Sequence, residues 1–193
     1  MLTLDFPGSR ALIDTIDESV SKASTLAITD SLRNSLCKLI RSNEVQLPAC
    51  IFQANAAHYA RRELYCSEAH GYCVVAMTWG PGQGTLIHDH DGMWCVEGVW
   101  NGALEVVQYE RMENEESRYH FRPVGSIQAG PGSAGSLIPP HEYHTIRNPS
   151  DDTVAVSLHI YSGRMTRCAV FQPLPDEGWY HRDERQLGLD QIH

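Results

Sequence analysis

From about residue 58 onward the chain consists of short strand-like segments, and this pattern constrains the fold more than any other feature. The segments run over 61–65, 72–79, 93–100, 103–111, 117–122, 136–138, 153–161 and 167–171. Glycine, proline and asparagine separate them, as in the turns at 80–82, 101–102 and 130–132. Many short strands in one run, without alternating helices, predict a mainly β protein with an antiparallel sandwich or barrel.

The first part of the chain has helical periodicity instead. Apolar residues recur at helix spacing over 12–20 and again over 32–40, and Asp30-Ser31 is a helix start signal. We expect an N-terminal helical segment over 1–50 that packs on a barrel formed by 51–193. The acidic stretch 112–117 is predicted to be a hairpin tip, and the polar tail after Pro173 a surface segment.

Charge and composition exclude several classes of function. The 193 residues include 24 acidic and 15 basic side chains, for a net charge of −9, which argues against a nucleic-acid partner. No apolar run reaches the roughly 20 residues of a membrane span, and no export signal is visible, so we expect a cytoplasmic protein. Six cysteines without a CxxC pair are then expected to be reduced thiols.

Histidines at metal-ligand spacing are the first sign of chemistry. His88 and His90 are two residues apart, so in a strand both imidazoles face the same side and can reach one ion. His144, in the segment 139–148, is the candidate third ligand. Imidazole suits iron, zinc, copper and nickel, and three-ligand sites with vacant positions are typical of non-haem Fe(II) oxygen chemistry.

A second polar pattern lies in the segment 153–161. Alternation puts Ser157, His159 and Tyr161 on one face of the strand and Leu158 and Ile160 on the other. In a barrel the polar face can point into the cavity, where the three side chains would satisfy one another by hydrogen bonding.

The histidine segments resemble the two motifs of the cupin superfamily, whose fold is a small double-stranded β-helix, or jelly-roll barrel. The residues that carry the resemblance are Gly82, His88, His90, Cys95 and Gly102 in the first motif and Pro139, His141, His144 and Asn148 in the second. By this spacing His144 is the ligand and His141 its competitor. Ordinary metallocupins place a ligating Glu where this chain has Cys95.

The identity of the residue at position 95 leaves two kinds of site open. If Cys95 does not bind, three neutral imidazoles leave the ion at a charge of +2 with open positions, which favours an anionic, chelating substrate such as a thiolate. If Cys95 does bind, a His3Cys set would resemble a closed structural zinc site.

Taken together, these residues resemble the cysteine dioxygenase family of thiol dioxygenases. That family has a three-His iron site, a cysteine five residues after the second His, and Ser-x-His-x-Tyr on a later strand. The resemblance implies metal ligands His88, His90 and His144, and catalytic roles for Tyr161, His159, Ser157 and Cys95. It also implies a thioether crosslink between Cys95 and Tyr161.

The same resemblance extends to substrate binding. The family has Tyr-x-Arg where this chain has Tyr59 and Arg61, and that arginine grips the substrate carboxylate. Arg62 is the alternative if the strand register differs. The residues expected near the pocket mouth are Trp79, Arg164 and Cys168, with Arg167 close by. Trp94 and the Ser-Gly-Arg sequence at 162–164 depart from the animal enzymes.

The resemblance therefore implies an Fe(II) enzyme that converts L-cysteine and O2 to cysteine sulfinic acid. Its partners would be a small thiol and O2, with no nucleotide or organic cofactor, no nucleic acid and no membrane. Another thiol carboxylic acid, such as 3-mercaptopropionate or mercaptosuccinate, is the alternative substrate. A metal- or ligand-sensing cupin without enzymatic activity is the non-enzymatic alternative. The sequence leaves the oligomeric state open.

Overall fold

Two helices precede the β-structure. The structure, a computed structural model, describes residues 5–192, so residues 1–4 and 193 of the expected segments lie outside it. The helices are α1 (Ser9–Val20) and α2 (Thr25–Ser42), followed by a 3-10 turn at Ala49–Phe52. Helix α2 begins at Thr25 because Ser24 accepts a hydrogen bond from the Ala27 backbone N–H at 3.3 Å. Asp30-Ser31 therefore lies inside the helix, and the predicted start there is wrong.

Neither of these helices is long and apolar enough to cross a membrane, and the same holds for every helix within residues 5–192.

The rest of the described chain is β-structure. Its strands are β1 (Ala60–Ser67), β2 (Tyr72–Trp79), β3 (Ile87–His88), β4 (Cys95–Asn101), β5 (Leu104–Glu115), β6 (Arg118–Ala129), β7 (Ala134–Leu137), β8 (His144–Arg147), β9 (Ala155–Tyr161), β10 (Arg167–Pro173) and β11 (Trp179–Gln186). The segments predicted from sequence all fall on strands. The sequence did not predict β3 and β8, which are too short to show periodicity, or β11.

Strand β11 corrects the prediction of a polar surface tail. It pairs with β10 along its whole length, from Arg167 opposite Gln186 to Pro173 opposite Tyr180. Its sequence, WYHRDERQ, is largely charged and exposed, so no apolar alternation marks it as a strand. The pairing partner, rather than burial of β11 itself, explains why this segment is extended.

The strands form two antiparallel sheets. The first has the order β1-β2-β9-β4-β7, and the second closes as β10-β11-β6-β5-β8-β3, with β3 pairing back to β10. Hairpins and longer crossovers connect the sheets into the double-stranded β-helix barrel that the sequence predicts.

Two apolar layers flank the five-stranded sheet. On β9 the even-numbered residues Leu158 and Ile160 face the helices, where they pack with Leu32 and Leu36. The odd-numbered residues of the same strand, among them Tyr161, face the barrel interior. Burial of a leucine such as Leu36 is worth about 1.5–3 kcal/mol, so the contact between helices and sheet stabilises the fold substantially. The alternation predicted for this strand is confirmed.

One cysteine pair corrects the prediction of reduced thiols. Cys66 and Cys73 lie directly opposite each other in the β1–β2 hairpin, with Cα atoms 4.1 Å apart, and they form a disulfide. The tight hairpin brings together two cysteines that have no special spacing in the sequence. The free thiols are Cys37, Cys50, Cys95 and Cys168.

Candidate active site

Three histidines meet inside the barrel. His88, His90 and His144 each offer a ring nitrogen, and these nitrogens all lie within 4.8 Å of one another. The ring centroids are 5.2 Å apart for His88 and His90, 4.5 Å for His88 and His144, and 5.2 Å for His90 and His144. The three imidazoles therefore surround one small space into which each can direct a nitrogen ligand for a metal ion.

Backbone pairing brings these histidines together. His88 is the last residue of β3 and lies opposite His144, the first residue of β8. Strand β3 ends there, so His90 lies just beyond the strand rather than within it. Asp89 keeps this segment extended beside β10: its backbone N–H donates to the Ala169 carbonyl at 3.1 Å, and its carboxylate accepts from the Ala169 N–H at 2.8 Å.

The protonation of these imidazoles suits a metal ion. Burial, followed by the neighbouring His144, lowers the pKa of His88 to about 3, and burial lowers the pKa of His144 to about 4. Burial also lowers the pKa of His90 well below its usual value. All three are therefore neutral at physiological pH, which is the form that binds metals.

In two of these rings the Nδ1 nitrogen already makes a hydrogen bond to a backbone carbonyl. His88 Nδ1 lies 3.0 Å from the Leu86 carbonyl, and His144 Nδ1 lies 2.9 Å from the Glu142 carbonyl. A carbonyl can only accept, so each ring carries its proton on Nδ1 and keeps its lone pair on Nε2. His144 Nε2 is buried without a hydrogen-bond partner. An orphaned buried acceptor among neutral imidazoles fits a divalent metal such as iron.

Cys95 and Tyr161 lie beside the histidines. They are cross-strand partners that lie directly opposite each other on β4 and β9. Burial, followed by the Glu97 carboxylate, raises the pKa of Cys95 well above its usual value, so Cys95 is a neutral thiol. Its sulfur is not part of the ligand group found among the described residues. The donor set therefore differs from a closed His3Cys zinc site.

Ser157 and His159 form a buried chain with Trp79. The Trp79 Nε1–H donates to Ser157 Oγ at 2.9 Å, and Ser157 Oγ lies 2.8 Å from His159 Nε2. The His159 ring stacks on the Tyr161 ring with centroids 6.0 Å apart. This chain holds His159 through its Nε2 atom.

Arg61 faces the same interior. It lies opposite Met77 on β2, which lies opposite Ser157 on β9, so the three side chains share a face of the sheet. Its guanidinium donates to the carbonyls of Gly188 at 3.1 Å and Met165 at 3.3 Å. Two of its five N–H groups are used in this way, which leaves others for a ligand.

Comparison with known proteins identifies the family of this chain. A profile of the family described as cysteine dioxygenase type I matches residues 18–173. The chain belongs to the cysteine dioxygenase type I family. Cysteine dioxygenase type 1 from Danio rerio is 26% identical over 98 residues, which cover 51% of this chain and 48% of the zebrafish protein. The rat protein of the same name is 26% identical over 147 residues, which cover 68% of this chain and 70% of its own.

The chain thus spans about half the length of the zebrafish cysteine dioxygenase that it matches. Among solved structures, a protein from Klebsiella pneumoniae with a double-stranded β-helix domain gives a TM-score of 0.45 at 14% identity. That match covers 66% of this chain and 98% of the other.

In this member of the cysteine dioxygenase family, the strand register decides whether Arg61 or Arg62 faces the barrel interior. Its guanidinium donates to Thr78 Oγ1 at 3.0 Å and to the Gln53 carbonyl at 2.9 Å. Both partners lie on the face of β1 turned away from the histidines. Arg61 is therefore the arginine that faces the interior.

Two residues expected at the pocket mouth lie deeper in the barrel. Trp79 is fully buried, stacks on Tyr59 with centroids 4.6 Å apart and hydrogen-bonds Ser157. Cys168 is also buried, and burial raises its pKa to about 11. Their burial corrects the expected placement at the mouth, although Trp79 is the last residue of β2 and Cys168 the second of β10.

Two arginines are indeed exposed near this region. Arg164 forms an ion pair with Glu63 at 2.9 Å, and Arg167 forms one with Asp91 at 3.1 Å. Each guanidinium already has a carboxylate partner, so neither is free to bind a substrate carboxylate without breaking that pair.

The C-terminal segment is a part of the site that the sequence did not reveal. Asp190 accepts from the Arg61 backbone N–H at 2.9 Å, and its own N–H donates to the Arg61 carbonyl at 2.7 Å. A cavity of about 460 Å³ is lined by Tyr59, Arg61, Arg185 and the segment 186–190. This cavity is the approach to Arg61.

Glu97 is the second residue that sequence reasoning missed. It lies on β4 two residues after Cys95, directly opposite His159, and is only 9% exposed. Burial raises the pKa of Glu97 to about 7. A carboxylate therefore lies beside the three histidines after all, which corrects the expectation of a site without one. In an antiparallel pair of strands, two steps forward on one strand correspond to two steps back on the other. Once Cys95 is paired with Tyr161, Glu97 is therefore expected to lie opposite His159.

A second cavity, of about 200 Å³, adjoins the site and shares no lining residue with the first. Most of its wall comes from apolar residues and glycines of the segment from β4 to β7, and its polar lining residues are Glu97, Gln108, Ser133, Ser136 and Ser157.

Proposed function

We propose that this protein is an iron-dependent dioxygenase that converts L-cysteine and O2 to cysteine sulfinic acid. The observation that carries the proposal is the group of three neutral imidazoles of His88, His90 and His144, the last two buried, beside Cys95 and Tyr161. The family assignment supports dioxygenase chemistry on a thiol.

The three histidines would hold Fe(II) through the nitrogens that face one another. When bound, Fe(II) would supply coordination positions at which a thiolate and O2 react. Neutral ligands leave the ion with its full positive charge, which favours binding of an anionic thiolate. The product, a sulfinic acid, carries both oxygen atoms on sulfur.

Arg61 would bind the substrate carboxylate. Its guanidinium lies at the wall of the larger cavity, and a planar fork of N–H donors matches a carboxylate in a bidentate manner. The carbonyls of Gly188 and Met165 hold the guanidinium in place. An anchored carboxylate fixes the direction of the thiol, which lowers the entropic cost of reaching the reactive geometry.

Tyr161 would donate a hydrogen bond to the reacting oxygen. Burial, followed by the neighbouring Cys95, raises the pKa of Tyr161 well above its usual value, so the phenol keeps its proton. His159, stacked on the Tyr161 ring, would keep the phenol in position, and Ser157 would hold His159.

Cys95 and Tyr161 would also form the thioether. The Cys95 sulfur and a ring carbon of Tyr161 each lose one hydrogen and form a C–S bond, while O2 takes up the two electrons and two protons. Intact mass spectrometry after turnover would then show a loss of two hydrogens, and Tyr161→Phe would keep its full mass.

The decisive experiment is O2 consumption by iron-loaded protein with L-cysteine, 3-mercaptopropionate and mercaptosuccinate in parallel. We expect the highest kcat/KM with L-cysteine, sulfinate in a 1:1 ratio to O2, and no uptake by chelator-treated or zinc-loaded protein. Full iron loading without O2 uptake on any thiol would refute the enzymatic proposal, and thiol binding without turnover would then favour a sensing cupin.

A thiol dicarboxylate is the second candidate substrate. Arg185 and Arg61 line the same cavity, so two arginines border one space. Mercaptosuccinate could place one carboxylate at each arginine. If it is the substrate, Arg185→Ala would raise the KM for mercaptosuccinate and leave that for L-cysteine unchanged.

A further inference from the structure

The buried carboxylate of Glu97 has no role in the function proposed above. Its Oε2 lies 3.4 Å from His159 Nδ1 and 3.8 Å from His144 Nε2, and it has no hydrogen-bond partner. The antiparallel register of β4 and β9 enforces the contact with His159, since the two residues are directly opposite. A buried carboxylate without a donor is costly, so this placement calls for a physical reason.

The hydrogen bonds of Ser157 favour one of the two nitrogens of His159 as the site of its proton. The Trp79 indole can only donate, so Ser157 Oγ accepts from it. Ser157 Oγ lies 2.8 Å from His159 Nε2, so its remaining hydroxyl proton can be donated to this nitrogen. His159 is a neutral imidazole because burial lowers its pKa well below the usual value. Its single N–H lies on Nδ1 when Ser157 donates to Nε2. Since Ser157 Oγ can also accept a second hydrogen bond from an Nε2–H, the acceptor that faces Nδ1 decides between the two tautomers.

Two groups face this Nδ1–H. The Cys95 sulfur is 3.9 Å away and is a weak acceptor, whereas Glu97 Oε2 is 3.4 Å away and a strong one. The terminal torsion of a glutamate is soft, so the carboxylate can rotate into line with the N–H at little cost. Every polar group in the chain Trp79, Ser157, His159 and Glu97 then has a partner.

We propose that Glu97 is a positioning residue whose carboxylate accepts the Nδ1–H of His159 and thereby holds the ring with Nε2 toward Ser157. The His159 ring in turn stacks on Tyr161 at 6.0 Å, so the carboxylate fixes the position of the phenol through one intermediate ring. Only this last consequence, an effect on turnover, rests on the function proposed above.

The test is the tautomer of His159, read by long-range 1H–15N correlation in 15N-histidine-labelled protein loaded with Zn2+, a diamagnetic ion. His159→Asn identifies the signal by its absence. We expect the Nδ1–H tautomer in the native protein and in Glu97→Gln, whose amide oxygen still accepts. We expect a mixture of tautomers in Glu97→Leu. Glu142→Leu, which removes another buried carboxyl near His144, is the matched control and should leave His159 unchanged.

An Nε2–H tautomer in the native protein, or an unchanged Nδ1–H in Glu97→Leu, would overturn the proposal. So would a fall in Zn2+ affinity in Glu97→Leu with His159 unchanged, because Glu97 would then be a metal ligand. In iron-loaded enzyme we expect Glu97→Leu to lower kcat about tenfold while the KM for the thiol stays within about twofold. If the native protein consumes no O2 at all, the proposed function fails and the tautomer result still decides the role of Glu97.

Discussion

Arg61 shows how a single residue can be fixed from several directions. Asp190 brackets its backbone on both the N–H and the carbonyl, and two further carbonyls hold its guanidinium. A side chain restrained in this way loses little entropy when it binds an anion, which favours recognition of a carboxylate.

Replacing Arg61 therefore tests substrate recognition. We expect Arg61→Ala to raise the KM for L-cysteine about 10- to 100-fold, because one charge-assisted bidentate pair is worth about 1.5–3 kcal/mol. Iron content should stay at the native level. Steady-state O2 uptake and metal analysis measure both quantities. Arg167→Ala, which removes an exposed arginine paired with Asp91, is the control. Native kinetics in Arg61→Ala would show that the carboxylate binds elsewhere.

The thiols of this protein differ in burial, so we expect them to differ in reactivity. At pH 8 we expect iodoacetamide to modify Cys37 and Cys50, which are partly exposed, before the buried Cys95 and Cys168. With a pKa of about 11, Cys168 is a thiolate in only about one molecule in a thousand at that pH.

Peptide mapping by mass spectrometry measures the order of modification. After denaturation without reductant, Cys66 and Cys73 should remain unmodified because they are joined to each other. Their alkylation under those conditions would show that the pair is reduced in solution.

At the residue scale, the sequence predicts a site residue when its type is unusual for the segment in which it occurs. The polar alternation of Ser157, His159 and Tyr161 in an apolar strand predicts their common face directly. Glu97 carries no such signal, because a glutamate is usually exposed and its burial follows from the pairing of β4 with β9.

At the scale of elements, short segments define the site. Strand β3 has two residues and β8 has four, yet their pairing places His88 opposite His144. Neither segment has the length at which alternation becomes visible, so their existence could not be predicted from periodicity. The long strands β2 and β9, by contrast, were predicted nearly to the residue.

Asn148 holds the end of β2 to the loop that leads into β9. Its amide Nδ2 donates to the carbonyls of Trp79 at 3.0 Å, Gly80 at 3.2 Å and Thr153 at 2.7 Å, and the residue is fully buried. We expect Asn148→Ala to lower the free energy of unfolding by about 1–3 kcal/mol, since it leaves buried carbonyls without donors.

Chemical denaturation measures this change. Asn34→Ala, at an exposed position of α2, is the matched control and should change the free energy of unfolding by less than about 0.5 kcal/mol. Equal stability of the two variants would show that water replaces the lost donor.

At the scale of the whole molecule, the two sheets contribute different parts of the site. The six-stranded sheet provides His88 and His144, with His90 just beyond β3. The five-stranded sheet provides the groups beside them, from Arg61 on β1 to Tyr161 on β9. The packing of one sheet on the other therefore sets the distance between a bound metal and the groups that would meet the substrate.

Metal binding should therefore stabilise the whole barrel. We expect Fe(II) under anaerobic conditions to raise the Tm of the native protein, because a ligand that binds only the folded state shifts the folding equilibrium. His144→Ala should abolish this rise, whereas Tyr161→Phe should keep it. Anaerobic calorimetry measures each Tm. A rise of native size in His144→Ala would exclude this histidine as a ligand.

The two hydrogen bonds between Asp190 and the Arg61 backbone have a consequence for the redesign of this pocket. The carbonyls of Met165 and Gly188, each more than a hundred positions away, hold the Arg61 guanidinium, so exchanging position 61 alone would leave its surroundings shaped for the old side chain. A graft that transfers a new selectivity into this barrel has to carry the first strand, the loop with Met165 and the segment 187–190 together.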